Sequence, residues 1–110
     1  MNKNKPSRAE RVLQKNGGGP LKGAQIKSLR SNLSKGWSVV GRRLEKEFKF
    51  KDFAGALVFT NRVGKLAERR QHHPDILLAW GKVKLTLSTH KVHGLSENDF
   101  ALAAEVDGIS

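Results

Sequence analysis

Glu68, His72, His73, His90 and Asp99 are residues of this chain whose types and spacing could serve proton transfer. His72 and His73 are adjacent and stand before Pro74, just where a helical pattern stops. Imidazole both gives and takes a proton near neutral pH, with a reference pKa of about 6.5. A carboxylate nearby can orient such a ring or hold the polar edge of a ligand. A zinc site is the other use for clustered histidines, but the chain has no cysteine and no His-x3-His pair. The fourth histidine, His93, reads as a loop residue. Each candidate also has a plainer reading. Adjacent histidines at a helix exit, taken alone, are exposed cations favoured by the helix dipole. Asp99 closes a capping box, Ser96-Glu97-Asn98-Asp99, and Glu68 is also a solvated helix residue beside Arg69 and Arg70.

The elements that must position these groups follow from periodicity. Leu21 to Leu33 is a helix candidate, with Ile26, Leu29 and Leu33 at helical spacing. Ser34-Lys35-Gly36 breaks it. Trp37 to Val40 reads as a strand, Gly41-Arg42 as a turn, and Leu44 to Phe50 as a second strand of period two. Asp52 is a good N-cap for a helix from Phe53 to Arg70. Its buried stripe is expected to hold Phe53, Leu57, Thr60, Val63 and Ala67, widened by Ala56, Val58, Phe59 and Leu66. Gly55 and Gly64 each cost up to about 1 kcal/mol of helix propensity, which suggests another element packed closely there. Pro74 disfavours helical geometry at His73, so the histidine pair sits at an exit. Ile76 to Trp80 then forms a strand, Gly81-Lys82 a turn, and Val83 to Thr89 another strand. A regular strand would send His90 to the face opposite Val83, Leu85 and Leu87. The capping box opens a last helix to about Val106. The order is α-β-β-α-β-β-α, an α+β fold whose strands form a mostly antiparallel sheet with helices on one face.

Composition bounds the rest. One domain, residues 20–110, is the natural count, and a chain of 110 residues buries roughly 65% of its unfolded surface. Met1 to Gly19 reads as a basic, flexible tail ending in Gly17-Gly18-Gly19, with a short helix to Lys15. The net charge of +11 raises a nucleic-acid reading. Aromatics are few and sit in apolar patterns instead of a basic stacking strip, so solvated basic faces account for the charge better than a nucleic-acid surface. No apolar run is long enough to span a membrane, and the expected setting is cytoplasmic.

The spacing Glu68-x3-His72-His73-Pro74-x5-Trp80-x9-His90-x8-Asp99 resembles the signature of pterin-4a-carbinolamine dehydratases. The likeness runs from about Leu21 to Asp107. It takes in Gly36-Trp37, Phe48-Lys49-Phe50-Lys51-Asp52-Phe53, Thr86-Leu87-Ser88-Thr89-His90 and Gly94-Leu95-Ser96. The resemblance implies a four-stranded antiparallel sheet with helices on one side, assembled as homodimers or homotetramers. It implies dehydration of 4a-hydroxytetrahydropterin to quinonoid dihydropterin, without a cofactor, in regenerating the pterin of aromatic amino-acid hydroxylases. Hydroxide is a poor leaving group, so an acid must protonate it and a base must take a proton from a ring nitrogen; each is worth roughly 10²–10⁴-fold. On the family pattern His72 and His90 carry protons and His73 holds the pterin. Glu68 and Asp99 orient imidazoles or bind the amino-pyrimidinone edge, and Trp80 stacks on substrate or packs its hairpin. Ile76 stands where many members carry an aromatic. Some relatives are dimerisation partners of transcription factors, so a dehydratase-like binding or assembly protein is the alternative.

Overall fold

The computed structural model describes residues 19–110 of the chain. The expected tail and its short helix therefore lie outside the described residues, Gly19 excepted. Helix α1 spans Gly23–Arg30, strands β1 and β2 span Ser38–Val40 and Arg43–Lys49, and helix α2 spans Phe53–Arg70. Strands β3 (Asp75–Ala79) and β4 (Lys82–Leu87), a 3-10 turn at His90–Val92 and helix α3 (Glu97–Ile109) complete the order. The strands form one antiparallel sheet in the order β1-β2-β4-β3. The α+β class, the element order and the sheet are thus as the sequence patterns predict.

The alternation explains which side is covered. Leu44 and Phe48 of β2 and Val83, Leu85 and Leu87 of β4 are buried, and they meet Ala56, Phe59, Val63 and Leu66 of α2 with Phe100, Leu102, Ala103 and Val106 of α3. Each such aliphatic or aromatic side chain is worth roughly 1.5–3 kcal/mol when fully buried. Phe48 and Phe59 stack with centroids 4.7 Å apart, and Trp37 meets Phe48 edge-on at 6.0 Å. The opposite face of the sheet is polar, with Glu45 and Glu47 bridging to Arg43, Lys84, Lys49 and Lys82 at 3.5–3.8 Å. Among the described residues, no helix is long and apolar enough to cross a membrane.

Several sequence expectations shift. Helix α1 is shorter than Leu21–Leu33 and buries no residue fully, while Ile26, Leu29 and Leu33 pack against the core in part. The buried stripe of α2 is narrower than its apolar content, because Phe53, Leu57 and Val58 face outward and are exposed. Gly64 has open space around it, so no element packs there; Gly55 approaches only Asp52 and Phe50. The last hairpin turns at Trp80-Gly81, one residue earlier than Gly81-Lys82, because Ala79 pairs with Lys82. Gly81 lies close to β2: it accepts from Phe50 N–H at 2.8 Å, and a Cβ there would sit 3.0 Å from the Phe50 carbonyl oxygen. Strand β4 stops at Leu87, short of Thr89, and α3 runs past Val106 to Ile109.

The far end of α3 is tied down by Asp107. Its carboxylate accepts from Ser34 N–H at 3.0 Å, Trp37 Nε1–H at 3.0 Å and Lys46 Nζ at 3.2 Å. Lys46 Nζ also lies 4.8 Å from the Phe48 ring centroid, a cation-π distance. Burial pushes the Asp107 carboxyl up, but the hydrogen bonds from Ser34, Trp37 and Lys46 outweigh it and hold the group below its ordinary value.

Candidate active site

Three chain segments converge at one end of the sheet: the exit of α2, the end of β4 and the start of α3. Asp52 caps α2 by accepting from Gly55 N–H at 2.8 Å. At the other end Gln71 turns left-handed (φ +54°). Gln71 N–H then bonds the Glu68 carbonyl at 3.2 Å and His72 N–H bonds the Ala67 carbonyl at 3.1 Å. These two bonds are the Schellman closure of a helix. The sharp reversal sends the neighbouring imidazoles different ways.

His72 turns inward. Its Nε2 lies 2.5 Å from Asp99 Oδ1, and the two side chains are 13% and 0% exposed. His73 turns outward and its Nε2 meets Glu68 Oε2 on the surface. Asp99 is the group on which the inner arrangement depends. Its Oδ2 accepts from Thr89 Oγ1–H at 2.8 Å and from Ser96 N–H at 2.9 Å. Thr89 in turn lies 2.7 Å from Ser96 Oγ, which accepts from Asn98 N–H at 3.2 Å. Asp99 is therefore both the N3 residue that closes the capping box and the partner of a histidine. The two readings of this residue are compatible because a carboxylate has two oxygens, and each role takes one.

Oriented this way, His72 has one assigned nitrogen and one spare. An ionised carboxylate can only accept, so Nε2–H donates to Asp99 Oδ1 and Nδ1 is left with its lone pair. That is an imidazole held in one tautomer and ready to take or, once charged, return a proton.

His90 lies in the 3-10 turn after β4, exposed, next to Thr89 and not on a continuing strand. Thr89 and Gly94 are held by a backbone bridge, with Thr89 N–H to Gly94 O at 2.8 Å. His90 shares a cleft of about 180 Å³ with Arg42, Arg43, Ser88, Thr89, His93 and Gly94. The structure thus joins His72, Asp99 and Thr89 through hydrogen bonds and sets His90 next to Thr89 on the exposed side, with the His73–Glu68 pair on the surface. Trp80 does not join them in one chain. It is 70% exposed at the turn after β3, the strand's length, roughly 16 Å, from the histidines that precede β3. Nor does it pack its hairpin, since a two-residue turn carries it beyond both strands. Ile76 faces the core, partly buried.

The sequence patterns give Thr89, Ser96, Arg42 and His93 no part in the site: Ser96 reads as a helix cap, His93 as a loop residue and Arg42 as a turn residue. The first was within reach: alternation along β4 puts Thr89 on the inner face with Leu87, where a hydroxyl needs a partner. Arg42 and His93 carry no local signal, and only the fold brings the two loops side by side.

A family model described as pterin 4 alpha carbinolamine dehydratase matches residues 19–109. The chain is 56% identical over 89 residues to the "putative pterin-4-alpha-carbinolamine dehydratase" of Alkaliphilus metalliredigens, which covers 80% of each chain. Among solved structures, a protein from Brucella melitensis described as a transcriptional coactivator/pterin dehydratase matches with a TM-score of 0.78 and 31% identity. The match covers 83% of this chain and 98% of that one. A pterin dehydratase-like protein identified as a RuBisCO assembly factor of the alpha-carboxysome matches with a TM-score of 0.59 and 28% identity, over 67% of this chain and 88% of that one.

Proposed function

Since the chain belongs to the pterin-4-alpha-carbinolamine dehydratase family, we propose that it dehydrates 4a-hydroxytetrahydropterin to the quinonoid dihydropterin. The observation that carries the reading is the His72–Asp99 pair, with the carboxylate's other oxygen occupied by Thr89 and Ser96. Two protons must move for water to leave. One goes onto the departing C4a hydroxyl as the C–O bond breaks, and the other leaves a ring nitrogen as the new double bond forms. His72, through Nδ1, and His90 are the two carriers, each worth roughly 10²–10⁴-fold. His73, paired with Glu68 on the rim, holds the pterin, and Glu68 offers its carboxylate to the amino-pyrimidinone edge. No cofactor is needed for this proton traffic.

The test is an assay of quinonoid dihydropterin formation from freshly generated carbinolamine, with and without the protein. Acceleration that saturates with carbinolamine is the expected result. The same rate in the presence and absence of protein would sink the proposal.

A second reading has one observation in its favour: Phe53, Leu57 and Val58 expose an apolar flank of α2. Such a flank suits a dehydratase-like protein that assembles with itself or with a partner. The RuBisCO assembly factor is a relative with that kind of role. The buried histidine–carboxylate pair favours the enzyme.

A further inference from the structure

The cleft beside His90 holds more positive charge than proton transfer requires. Its lining is Arg42, Arg43, Ser88, Thr89, His90, His93 and Gly94, with two guanidinium groups, two imidazoles, two hydroxyls and no carboxylate. Arg43 shares its charge with Glu45 at 3.7 Å, on the sheet's polar face. Arg42 makes no ion pair with any described residue.

The turn geometry places Arg42 there. Val40 pairs with Arg43, so Gly41 and Arg42 form a two-residue hairpin turn. Gly41 takes φ +60°, a conformation open to glycine, and holds Arg42 at the tip. Across the cleft His93 is itself left-handed, at φ +55°, where a side chain is sparingly tolerated.

Strand register relates this cleft to the histidine pair. Leu44 pairs with Leu87 where β2 and β4 part, and the Gly41-Arg42 turn lies just beyond on the β2 side. Asp75 pairs with Thr86 where β3 and β4 part, and His72 and His73 precede β3 on the other side of β4. The arginines and the histidines therefore flank the end of β4, where the Thr89–Gly94 bridge and His90 line the cleft.

We infer that Arg42, Arg43 and His93 form a subsite for an anionic group, a phosphate or carboxylate, carried on the side chain of the pterin. The inference rests on the dehydratase reading for the ring's position and on the cleft for the anion. Guanidinium groups suit such oxygens because they present paired donors in a fixed plane. Thr89 links the two halves: it lines the cleft and bonds the carboxylate that orients His72.

The test compares carbinolamines made from 6-hydroxymethyl-tetrahydropterin and from its phosphate monoester. The wild-type KM should be lower for the ester by about tenfold, as a charge-assisted contact would give. Arg42→Gln should bring the ratio of the two KM values near parity, and Lys27→Gln, a charge change outside the cleft, should leave the ratio as in wild type. Inorganic phosphate, titrated into the full chain and followed by NMR, should shift the Arg42 Nε and His93 ring signals saturably. Equal wild-type KM values, or the same loss of ratio in Lys27→Gln, overturn the subsite and leave the dehydratase reading standing. Saturable phosphate binding at Arg42 with turnover of neither pterin does the reverse: the anion site stands and the dehydratase reading falls. Phosphate that shifts neither signal overturns the anion site by itself.

Discussion

His72 Nε2 lies 2.5 Å from Asp99 Oδ1, although the two residues belong to different elements and Asp99 is wholly buried. A charged partner at that position fixes the ring's orientation and its tautomer together.

The sharpest test changes that tautomer while keeping the shape. Asp99→Asn retains an oxygen for Thr89 and Ser96 but presents an amide N–H to His72. It should reduce kcat by roughly 10²-fold or more with the fold preserved by circular dichroism. Asp99→Ala should in addition lower stability by about 1–3 kcal/mol, because buried donors lose their acceptor. Full activity in Asp99→Asn would reduce this residue to a helix cap.

His72→Ala and His90→Ala should each lower kcat by roughly 10²-fold or more. Trp80→Ala should stay within about twofold of wild type in kcat, since a single chain keeps it a strand's length away. A large loss at Trp80 would mean that a second copy brings the indole to the site, and steady-state kinetics of the three variants decides.

Asp107 gives a pH-dependent stability. Its carboxyl is held below its ordinary value in the folded chain, so its contribution is full above the unfolded value, about 3.9, and fades as pH falls through the lower folded value. Asp107→Asn should cost about 1–3 kcal/mol at pH 7. The gap from wild type should begin to narrow below about pH 4 and close as pH falls through the lower folded value. Urea melts at pH 7 and pH 3 measure both; a gap that widens in acid would contradict the sign.

The outer flank of α2 predicts self-association. Val58→Glu puts a charge on an apolar surface at a side chain that is half exposed in the single chain. The variant should keep its melting behaviour as a monomer yet shift to a smaller particle by light scattering. An unchanged particle size would rule this flank out as a self-association surface.

How far the chain could be read in advance depended on the range of the forces involved. Helix α2 was legible to both ends, because Asp52 and the His-His-Pro exit act on neighbours in sequence. The strand pattern was legible for the same reason. Where β4 ends was not: alternation continues to His90, but a strand persists only while partners remain, and β2 and β3 leave after Leu44 and Asp75. Trp80 looked like packing because of its size, and a shift of one residue in the turn put it in solvent. Apolar character places Phe53, Leu57 and Val58 in the core, yet it says only that a face wants cover, not what supplies it. The capping box announced Asp99, while its second partner lies 27 residues away in sequence and only the fold could supply it.

Helix α3 is anchored at both ends by side chains that are themselves buried or hydrogen-bonded: Ser96 and Asp99 hold its start to Thr89 and His72, and Asp107 holds its end to Ser34, Trp37 and Lys46. A helix secured only at one end frays from the other, and its amides exchange with solvent through small local openings. This one has no loose end from which to unzip. Its central amides should exchange only when the whole domain opens, and they should therefore report the global stability directly. Cutting the Asp107 tie should create a separate, cheaper opening that begins some distance from the histidines and advances toward them. Deuterium uptake along α3 would then reveal the site losing its alignment before the sheet gives way.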